Sequence, residues 1–151
     1  MNDTVKSWLS KSREELDEIY KNANAGEIPN GDTQGTAILA GSFLAGLVAL
    51  LVGVYAWQGK KFDMFCNGGQ AGVLVNKITP LSMSFIVAKV YRDSSWMDGK
   101  ETIVIDYSRT SFFAKVIRDE IREIEPGVYL GKVWWGKKRI LDFALTRKIS
   151  T

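Results

Sequence analysis

The sequence predicts an α+β protein: an N-terminal amphipathic helix, one long hydrophobic helix, then an antiparallel meander that forms a curved sheet or a small barrel and includes one short helix. Three observations predict this. Apolar residues recur at helical spacing before residue 24, an uncharged run follows over Thr36–Trp57, and the apolar period then falls to two. We therefore expect three segments: residues 1–35 as helix and linker, 36–57 as hydrophobic helix, and 58–151 as an antiparallel β domain.

The N-terminal segment has the pattern of an amphipathic helix over residues 4–23, with Asp3 or Thr4 as its N-cap. The apolar residues of its stripe are Val5, Trp8, Leu9, Leu16, Ile19 and Tyr20. Its polar face is acidic and suits an anionic lipid surface poorly, so we expect the helix to pack on the domain. Residues 24–35 are rich in Gly, Asn, Asp and Pro, which indicates a linker or an ordered loop.

The uncharged run of 22 residues would span about 33 Å as a helix, enough for a bilayer core of about 30 Å. Small residues recur within it at intervals of four and form one ridge, along which another helix or a sheet could approach closely. We expect this ridge to be a helix-packing surface. Its central members are Gly41, Ala45, Ala49 and Gly53.

Membrane embedding is the favoured interpretation of this run, and a helix buried against a soluble domain is the alternative. Tyr55 and Trp57 precede Lys60 and Lys61, an order that resembles an interfacial anchor. Residues 1–35 carry a net charge of −3, and the remainder of the chain carries +6. The positive-inside bias therefore predicts a single-pass or embedded chain with a cytoplasmic C-terminal domain. The N-terminal segment contains no pattern typical of a signal peptide.

Several segments after the run have strand periodicity, and Asp98-Gly99 and Pro126-Gly127 mark turns between them. The predicted strands are Ala71–Ile78, Ser84–Arg92, Glu101–Tyr107, Val128–Trp135 and Arg139–Thr146. Between the third and fourth of these strands, the apolar residues Phe113, Val116, Ile117, Ile121 and Ile124 fall on one helical stripe. We expect a helix over residues 111–124, with an irregular strand as the alternative.

Composition excludes several kinds of chemistry. The chain has no histidine, which removes the commonest metal ligand and the commonest general base. The single cysteine, Cys66, allows no internal disulfide. The sequence therefore predicts no cofactor, no metal site and no catalytic residue. No recognisable nucleic-acid-binding motif is present, so nucleic acid is not an expected partner.

Four residues near the end of the third predicted strand form the candidate ligand-binding site: Asp106, Tyr107, Arg109 and Arg118. A carboxylate beside a tyrosine and arginines could hold an acidic or phosphate head group at the mouth of a pocket. Two plainer interpretations stay open. Asp106 could cap the turn that follows it, and the alternating charges from Arg118 to Glu123 could be the solvated face of a helix.

The segment Trp57-Gln58-Gly59-Lys60-Lys61-Phe62 leads into the meander, and Pro126–Gly131 precedes a terminal strand with Arg147 near its end. This arrangement is similar to small lipocalin-like proteins of the calycin type that have a W-x-G-K-x-F entry, over roughly residues 57–147. The resemblance implies an antiparallel barrel that holds a hydrophobic small molecule or a lipid. The chain also resembles uncharacterised bacterial proteins with N-K-I-T-P and R-D-E-I-R-E segments.

The expected function is therefore that of a membrane-anchored small β-domain protein that binds a lipid or another apolar ligand. The alternative is a non-catalytic structural subunit of a membrane assembly, packed on a membrane-protein partner or on a second copy through the helix ridge. An enzyme acting on a lipid through Asp106, Tyr107 and Arg109 is the third possibility, and the sequence favours a protein that is not an enzyme.

Overall fold

The structure, a computed structural model, describes residues 1–38, 57–66, 71–78, 87–108 and 116–148, with only the backbone for 57–66, 71–78 and Val87. Two short helices precede eight strands. The helices are α1 (Asp3–Trp8) and α2 (Arg13–Asn22). The strands are β1 (Gly31–Ile38), β2 (Trp57–Cys66), β3 (Ala71–Ile78), β4 (Val87–Ser94), β5 (Glu101–Asp106), β6 (Ile117–Glu125), β7 (Val128–Trp135) and β8 (Lys138–Arg147).

The strands follow one another in chain order, and every neighbouring pair is antiparallel. The first strand pairs with both of its neighbours: Gly31 and Asp32 face β2, and the six residues from Thr33 to Ile38 face β8. The sheet therefore closes into a barrel. Closure removes the unpaired edges that a meander would otherwise expose.

Both helices begin at sequence-encoded caps. The Asn2 side chain accepts hydrogen bonds from the backbone N–H groups of Thr4 and Val5 at the start of α1. A capping box starts α2, in which the Ser12 hydroxyl accepts from the Glu15 N–H and the Glu15 carboxylate accepts from the Ser12 N–H. The single helix predicted over residues 4–23 is thus two helices, because Ser12 satisfies the first amides of a new helix.

The helices pack on the outside of the barrel, as their amphipathic pattern predicted. Their buried side chains form one apolar cluster with residues of β1, β7 and β8. The members of this cluster are Val5, Trp8, Leu16, Tyr20, Ile38, Val128, Leu130 and Ala144. Each fully buried aliphatic side chain of this kind contributes about 1.5 to 3 kcal/mol, which is enough to hold such short helices in place.

Most of the predicted strands are confirmed in position. The bounds of β3 and β7 match the prediction, and β4, β5 and β8 differ from it by one to three residues at their ends. Two of the predicted turns contain a glycine with positive φ, Gly99 at 73° and Gly127 at 76°, a conformation that glycine adopts without strain. Period-two patterning bounded by glycine turns was therefore a sound basis for these strands.

The predicted long hydrophobic helix is not found. Thr36–Ile38 is the end of β1, Trp57 is the first residue of β2, and the intervening residues 39–56 lie outside the described part of the chain. No helix within the described ranges is long and apolar enough to cross a membrane, and this corrects the prediction of a membrane-embedded, single-pass chain. The two ends of the uncharged run are therefore strand residues of a sheet.

The predicted short helix is also wrong. Its second half belongs to β6, which pairs with β5 and β7, and residues 109–115 lie outside the described ranges. The predicted α+β class, with a long hydrophobic helix and a short helix inside the meander, is therefore replaced by an antiparallel sheet with two short N-terminal helices. The sheet also includes Gly31–Ile38, which precedes the predicted β domain.

Candidate functional site

The barrel wall has two faces of different chemistry. The outer face of β5 to β8 is covered by the helices and by the connection between β4 and β5. The inner face carries a second apolar cluster, to which β4 through β8 all contribute. The side chains of these strands in the cluster are Ala88, Val90, Ile103, Ile105, Tyr107, Ile121, Tyr129, Phe143 and Leu145.

One end of the barrel is sealed by residues 23–30, the segment between α2 and β1. Ala25 and Ile28 are buried within the inner cluster. The Ala25 carbonyl accepts a hydrogen bond from the Glu123 N–H, and the Glu123 carboxylate accepts from the Glu27 N–H at 3.0 Å. Gly26 lies so close to Glu123 that a Cβ at this position would overlap it. We call this the sealed end.

Toward the opposite end, the inward-facing residues of the described strands are less buried. Ala37, Ile117 and Val133 lie in register with inward-facing residues, yet all three are only partly buried. Ile121 and Leu145, nearer the sealed end on the same face, are fully buried. We call this the open end. The connections between β1 and β2, β3 and β4, and β5 and β6 leave the sheet here and fall largely outside the described residues.

A polar pair lies on the inner face between these two regions. The Tyr107 hydroxyl donates a hydrogen bond to the Asp119 carboxylate at 3.0 Å, and each residue is 5% exposed. Asp119 lies opposite Ile105 on one side and opposite Val133 on the other. Along β6 it lies between Ile117 and Ile121, which both belong to or pack against the inner apolar cluster. A buried carboxylate with a fixed donor is a typical orienting group of a small-molecule site.

The four predicted site residues do not meet in one place. Tyr107 faces inward, whereas Asp106 and Arg118 are partners across β5 and β6 on the outer face. Asp106 accepts a hydrogen bond from the Ser108 N–H at 2.8 Å, which is the turn-capping role that the sequence left open. This bond, the Ser108 hydroxyl and the Tyr91 hydroxyl outweigh the effect of burial and lower the pKa of Asp106. Arg109 lies outside the described residues.

Arg118 is occupied on the outer wall. Its Nε donates to Glu120 at 3.0 Å and its Nη2 donates to the Ser94 carbonyl at 2.8 Å. Its guanidinium also lies 4.5 Å from the ring centroid of Trp96. These contacts fix the connection between β4 and β5 against the sheet, so Arg118 has a structural role here.

Two buried charged clusters join the N-terminal helices to the outer wall. In the first, Glu120 accepts from the Ser95 hydroxyl at 2.6 Å and from the Trp96 N–H at 2.9 Å. Beside it, Arg122 forms a two-pronged ion pair with Asp98, with both distances at 2.7 Å, and donates to the Tyr20 carbonyl at 3.0 Å. Glu120 and Arg122 are fully buried, and both are satisfied by these partners.

The second cluster centres on Lys132, which is fully buried. Its ammonium group lies 2.9 Å from Asp17 of α2 and 3.3 Å from Asp142 of β8, and Arg139 also contacts Asp17. Burial lowers the pKa of Lys132 and raises the pKa of Asp142. Burial opposes ionisation of Asp17 as well, but hydrogen bonds from Arg139 and Lys132 outweigh it and lower its pKa. The cluster ties α2 to the barrel.

Two further predictions concern helix packing and metal binding. The helix-packing residues Gly41, Ala45, Ala49 and Gly53 all lie outside the described residues. Across the described ranges, no group of three potential metal-ligating side chains comes together. The inner face is therefore the candidate site, with an apolar wall, the hydrogen-bonded Tyr107 and Asp119, and one sealed end.

Sequence reasoning missed Asp119 because it placed this residue on the solvated face of a helix. A pattern that could have identified it was present, since Ile117, Asp119 and Ile121 alternate with charged residues at strand spacing. Read as a strand, β6 has one face on which Asp119 lies between Ile117 and Ile121, with Glu123 following toward the sealed end. A carboxylate between two apolar residues of a strand face is a candidate binding group.

Neither a protein family nor a curated protein matches the chain. Among solved structures, it is similar to the crystal structure of a protein from Thermomonospora curvata, with a TM-score of 0.62 and 18% sequence identity. The alignment covers 97% of this chain and 95% of that one. At this identity the similarity shows a shared fold and nothing about activity.

Proposed function

We propose that the protein is a binding protein, and not an enzyme, that holds a lipid or another small apolar molecule against the inner face of its barrel. The observation that carries this proposal is the gradient of exposure along that face. Apolar side chains are sealed at one end and partly exposed at the other, where Ile117 and Val133 lie. An apolar surface that remains partly exposed inside a barrel favours an apolar ligand.

The placement of the polar groups supports binding over catalysis. The charged side chains of the outer wall are engaged in ion pairs that hold helices and loops, as Glu120, Arg122 and Lys132 show. On the inner face, the Tyr107 hydroxyl donates a hydrogen bond to Asp119 beside the apolar cluster. Such a pair can orient one end of a ligand, while the apolar wall supplies most of the affinity at about 25 cal/mol per Å² of buried surface.

This proposal does not include membrane anchoring. The ridge residues that would dock a structural subunit lie outside the described residues, and no described contact favours that alternative.

The test is saturable binding of the neutral dye Nile red to the full chain, followed by its fluorescence. We expect Val133→Trp to weaken binding at least tenfold, because the larger side chain would cover part of the inner face opposite Asp119. Val116→Trp is the matched control, since Val116 is 40% exposed next to Ile117, and it should leave binding unchanged.

Circular dichroism and chemical denaturation would show that both variants are folded. Absence of saturable dye binding by the wild-type chain would contradict the proposal, and so would equal binding by the two tryptophan variants.

A further inference from the structure

We infer that the ligand is an amphiphile with an anionic head group, such as a carboxylate, which stays at the open end while the apolar part of the ligand lies on the inner face. This inference rests on the proposed function and names the ligand class for the same site. The sequence predicted an acidic head group at Arg118, which Glu120 holds on the outer wall. The residues that attract the head group are instead lysines at the open end.

The first argument is the distribution of exposed charge along the barrel. Exposed lysines lie near the open ends of β4 and β8 and in the turn between β7 and β8, at Lys89, Lys138 and Lys137 respectively. By backbone position, Lys60 and Lys77 also lie within four residues of the open ends of β2 and β3. We call these five residues the basic rim.

The acidic residues nearest the open end are turned to other partners. Within the described strands, Asp119 and Glu120 are buried, and Asp106 is only partly exposed and caps the turn after β5. The exposed charged residues near the sealed ends of the strands have both signs: Asp93, Glu101, Glu125 and Arg147. A negatively charged group is therefore attracted to the open end of the barrel more than to the sealed end.

The second argument concerns Trp135, which connects the basic rim to the inner face. Trp135 lies opposite Ile117 on one side and opposite Lys138 on the other, and it is 50% exposed. It therefore continues the inward-facing row of Val133 toward solvent. An indole ring has a large apolar body and a polar N–H, so it suits the boundary between an apolar chain and a charged head group.

The third argument is the free energy of placing a charged head group. Nearer the sealed end, Ile121 and Leu145 are fully buried, and a carboxylate among them would lose its hydration. At the basic rim, the head group stays in contact with water and gains charge-assisted hydrogen bonds from ammonium groups. The apolar part of the ligand then extends from Trp135 along Val133 and Ile117.

Lys137 is able to take part although it has a contact of its own. Its ammonium group lies 3.7 Å from the ring centroid of Trp96. An ammonium group has three donors, and a cation over an aromatic ring can still donate to an anion on its other side. The contact with Trp96 therefore holds the charge of Lys137 at the open end.

The experiment measures displacement of Nile red from the full chain at pH 7. The competitors are decanoate, decanol and decylamine, which share one chain length, and acetate, which has the carboxylate without the apolar chain. We expect decanoate to bind at least tenfold more tightly than decylamine, because the basic rim attracts one head group and repels the other. Acetate at the same concentrations should displace no dye.

Two double variants that lose the same two positive charges make the test specific. Lys137→Gln/Lys138→Gln should weaken decanoate at least fivefold and change decanol less than twofold. Lys6→Gln/Lys21→Gln is the matched control on the helices, and it should change neither ligand more than twofold. If the rim double variant does not fold, Lys89→Gln should likewise weaken decanoate and spare decanol.

The control also accounts for the net charge of +3, since attraction by the whole chain would fall equally in both double variants. Circular dichroism and chemical denaturation would show that the variants are folded.

The outcomes separate the inference from the proposed function. If Nile red binds and decanoate has no advantage over decylamine, or the two double variants bind decanoate equally, the inference is overturned while apolar binding stands. Displacement by acetate as effective as that by decanoate would also overturn it, since the apolar part would then not be needed. If neither the dye nor any competitor binds, the proposed function itself fails.

Discussion

At the scale of single residues, the ion pair between Asp98 and Arg122 attaches the segment between β4 and β5 to the outer face of the barrel. Arg122 is fully buried and donates to both oxygens of Asp98, and it also donates to the Tyr20 carbonyl of α2. These hydrogen bonds from Arg122 lower the pKa of Asp98 from its ordinary value of 3.8, against the opposing effect of burial. Loss of the Asp98 charge would leave a buried guanidinium without its counter-ion.

We therefore predict that Asp98→Asn lowers the free energy of unfolding at pH 7 by about 2 to 4 kcal/mol. Because the pKa of Asp98 is lower in the folded chain than in the unfolded chain, the ionised form stabilises the fold. That stabilisation is complete well above pH 3.8 and is lost as the pH falls through the folded-state pKa. Chemical denaturation should show that the difference in unfolding free energy between the wild type and Asp98→Asn becomes smaller as the pH falls from 6 to 2.5.

Asp3→Asn is the control for this prediction. Asp3 also pairs with a cation, Lys6 at 2.8 Å, but its side chain is 93% exposed, so water and salt screen the pair. We expect its unfolding free energy to follow that of the wild type at every pH. A gap for Asp98→Asn that stays constant down to pH 2.5 would contradict the role given to its ionised form.

Single-residue roles were the part of the site that sequence could predict least. The capping alternative for Asp106 needed only the local chain, and its bond to the Ser108 N–H is present. The partners of Glu120 and Lys132 come from α2, from the β4–β5 connection and from β8, up to 115 residues away in sequence. No local pattern encodes such distant pairs, so these buried charges resembled solvated ones.

At the scale of elements, the packing of β7 against β8 depends on one glycine. Gly131 lies opposite Phe143, and a Cβ added at Gly131 would overlap the aromatic ring. The ring thus occupies the space that any other residue would need on the inner face. We predict that Gly131→Ala lowers the free energy of unfolding by about 1 to 3 kcal/mol, because the ring must move out of a packed position. Equilibrium denaturation measures this.

A double-mutant cycle isolates that cause. Phe143→Leu removes part of the ring and should relieve the overlap, so the double variant should be more stable than the sum of the single effects by about 1 kcal/mol. Simple additivity of the two substitutions would show that the cost of Gly131→Ala arises elsewhere, for example in the backbone of β7.

Elements differed in how well the sequence predicted them. Val128–Trp135 is rich in β-branched and aromatic residues and lies between two glycine-containing turns, so its bounds were predicted correctly. The apolar residues within 117–124 fit both a helical and a strand period. Burial on both faces of the segment is what favours the strand in the folded protein. Because α2 and the β4–β5 connection cover the outer face of β6, Glu120 and Arg122 are fully buried and bonded to polar groups of those segments. A covered strand with charged residues on its covered face imitates an amphipathic helix.

At the scale of the whole molecule, closure joins the two ends of the sheet, since β1 pairs with β8 through six residues. The sequence predicted a meander from local alternation, but it could not assign β1, whose small and polar residues were taken for a linker and for the start of the hydrophobic run. Contacts between such distant segments form late in folding, because the chain entropy of a long loop must be lost first.

The proposed function depends most on the sealed end of the barrel. A substitution of Ile28 tests whether residues 23–30 close that end. Ile28 is 7% exposed and packs in the inner cluster, so Ile28→Ala should lower the free energy of unfolding by about 2 to 4 kcal/mol.

Amide hydrogen exchange should quicken most at Glu123, whose N–H bonds to the Ala25 carbonyl of the same segment. It should quicken less at residues near the open end. Asn24→Ala, at an exposed position in the segment, is the control and should change neither quantity. Uniform acceleration across all strands would mean that residues 23–30 stabilise the barrel as a whole without closing one end, and the direction from which a ligand enters would then have to be reassigned.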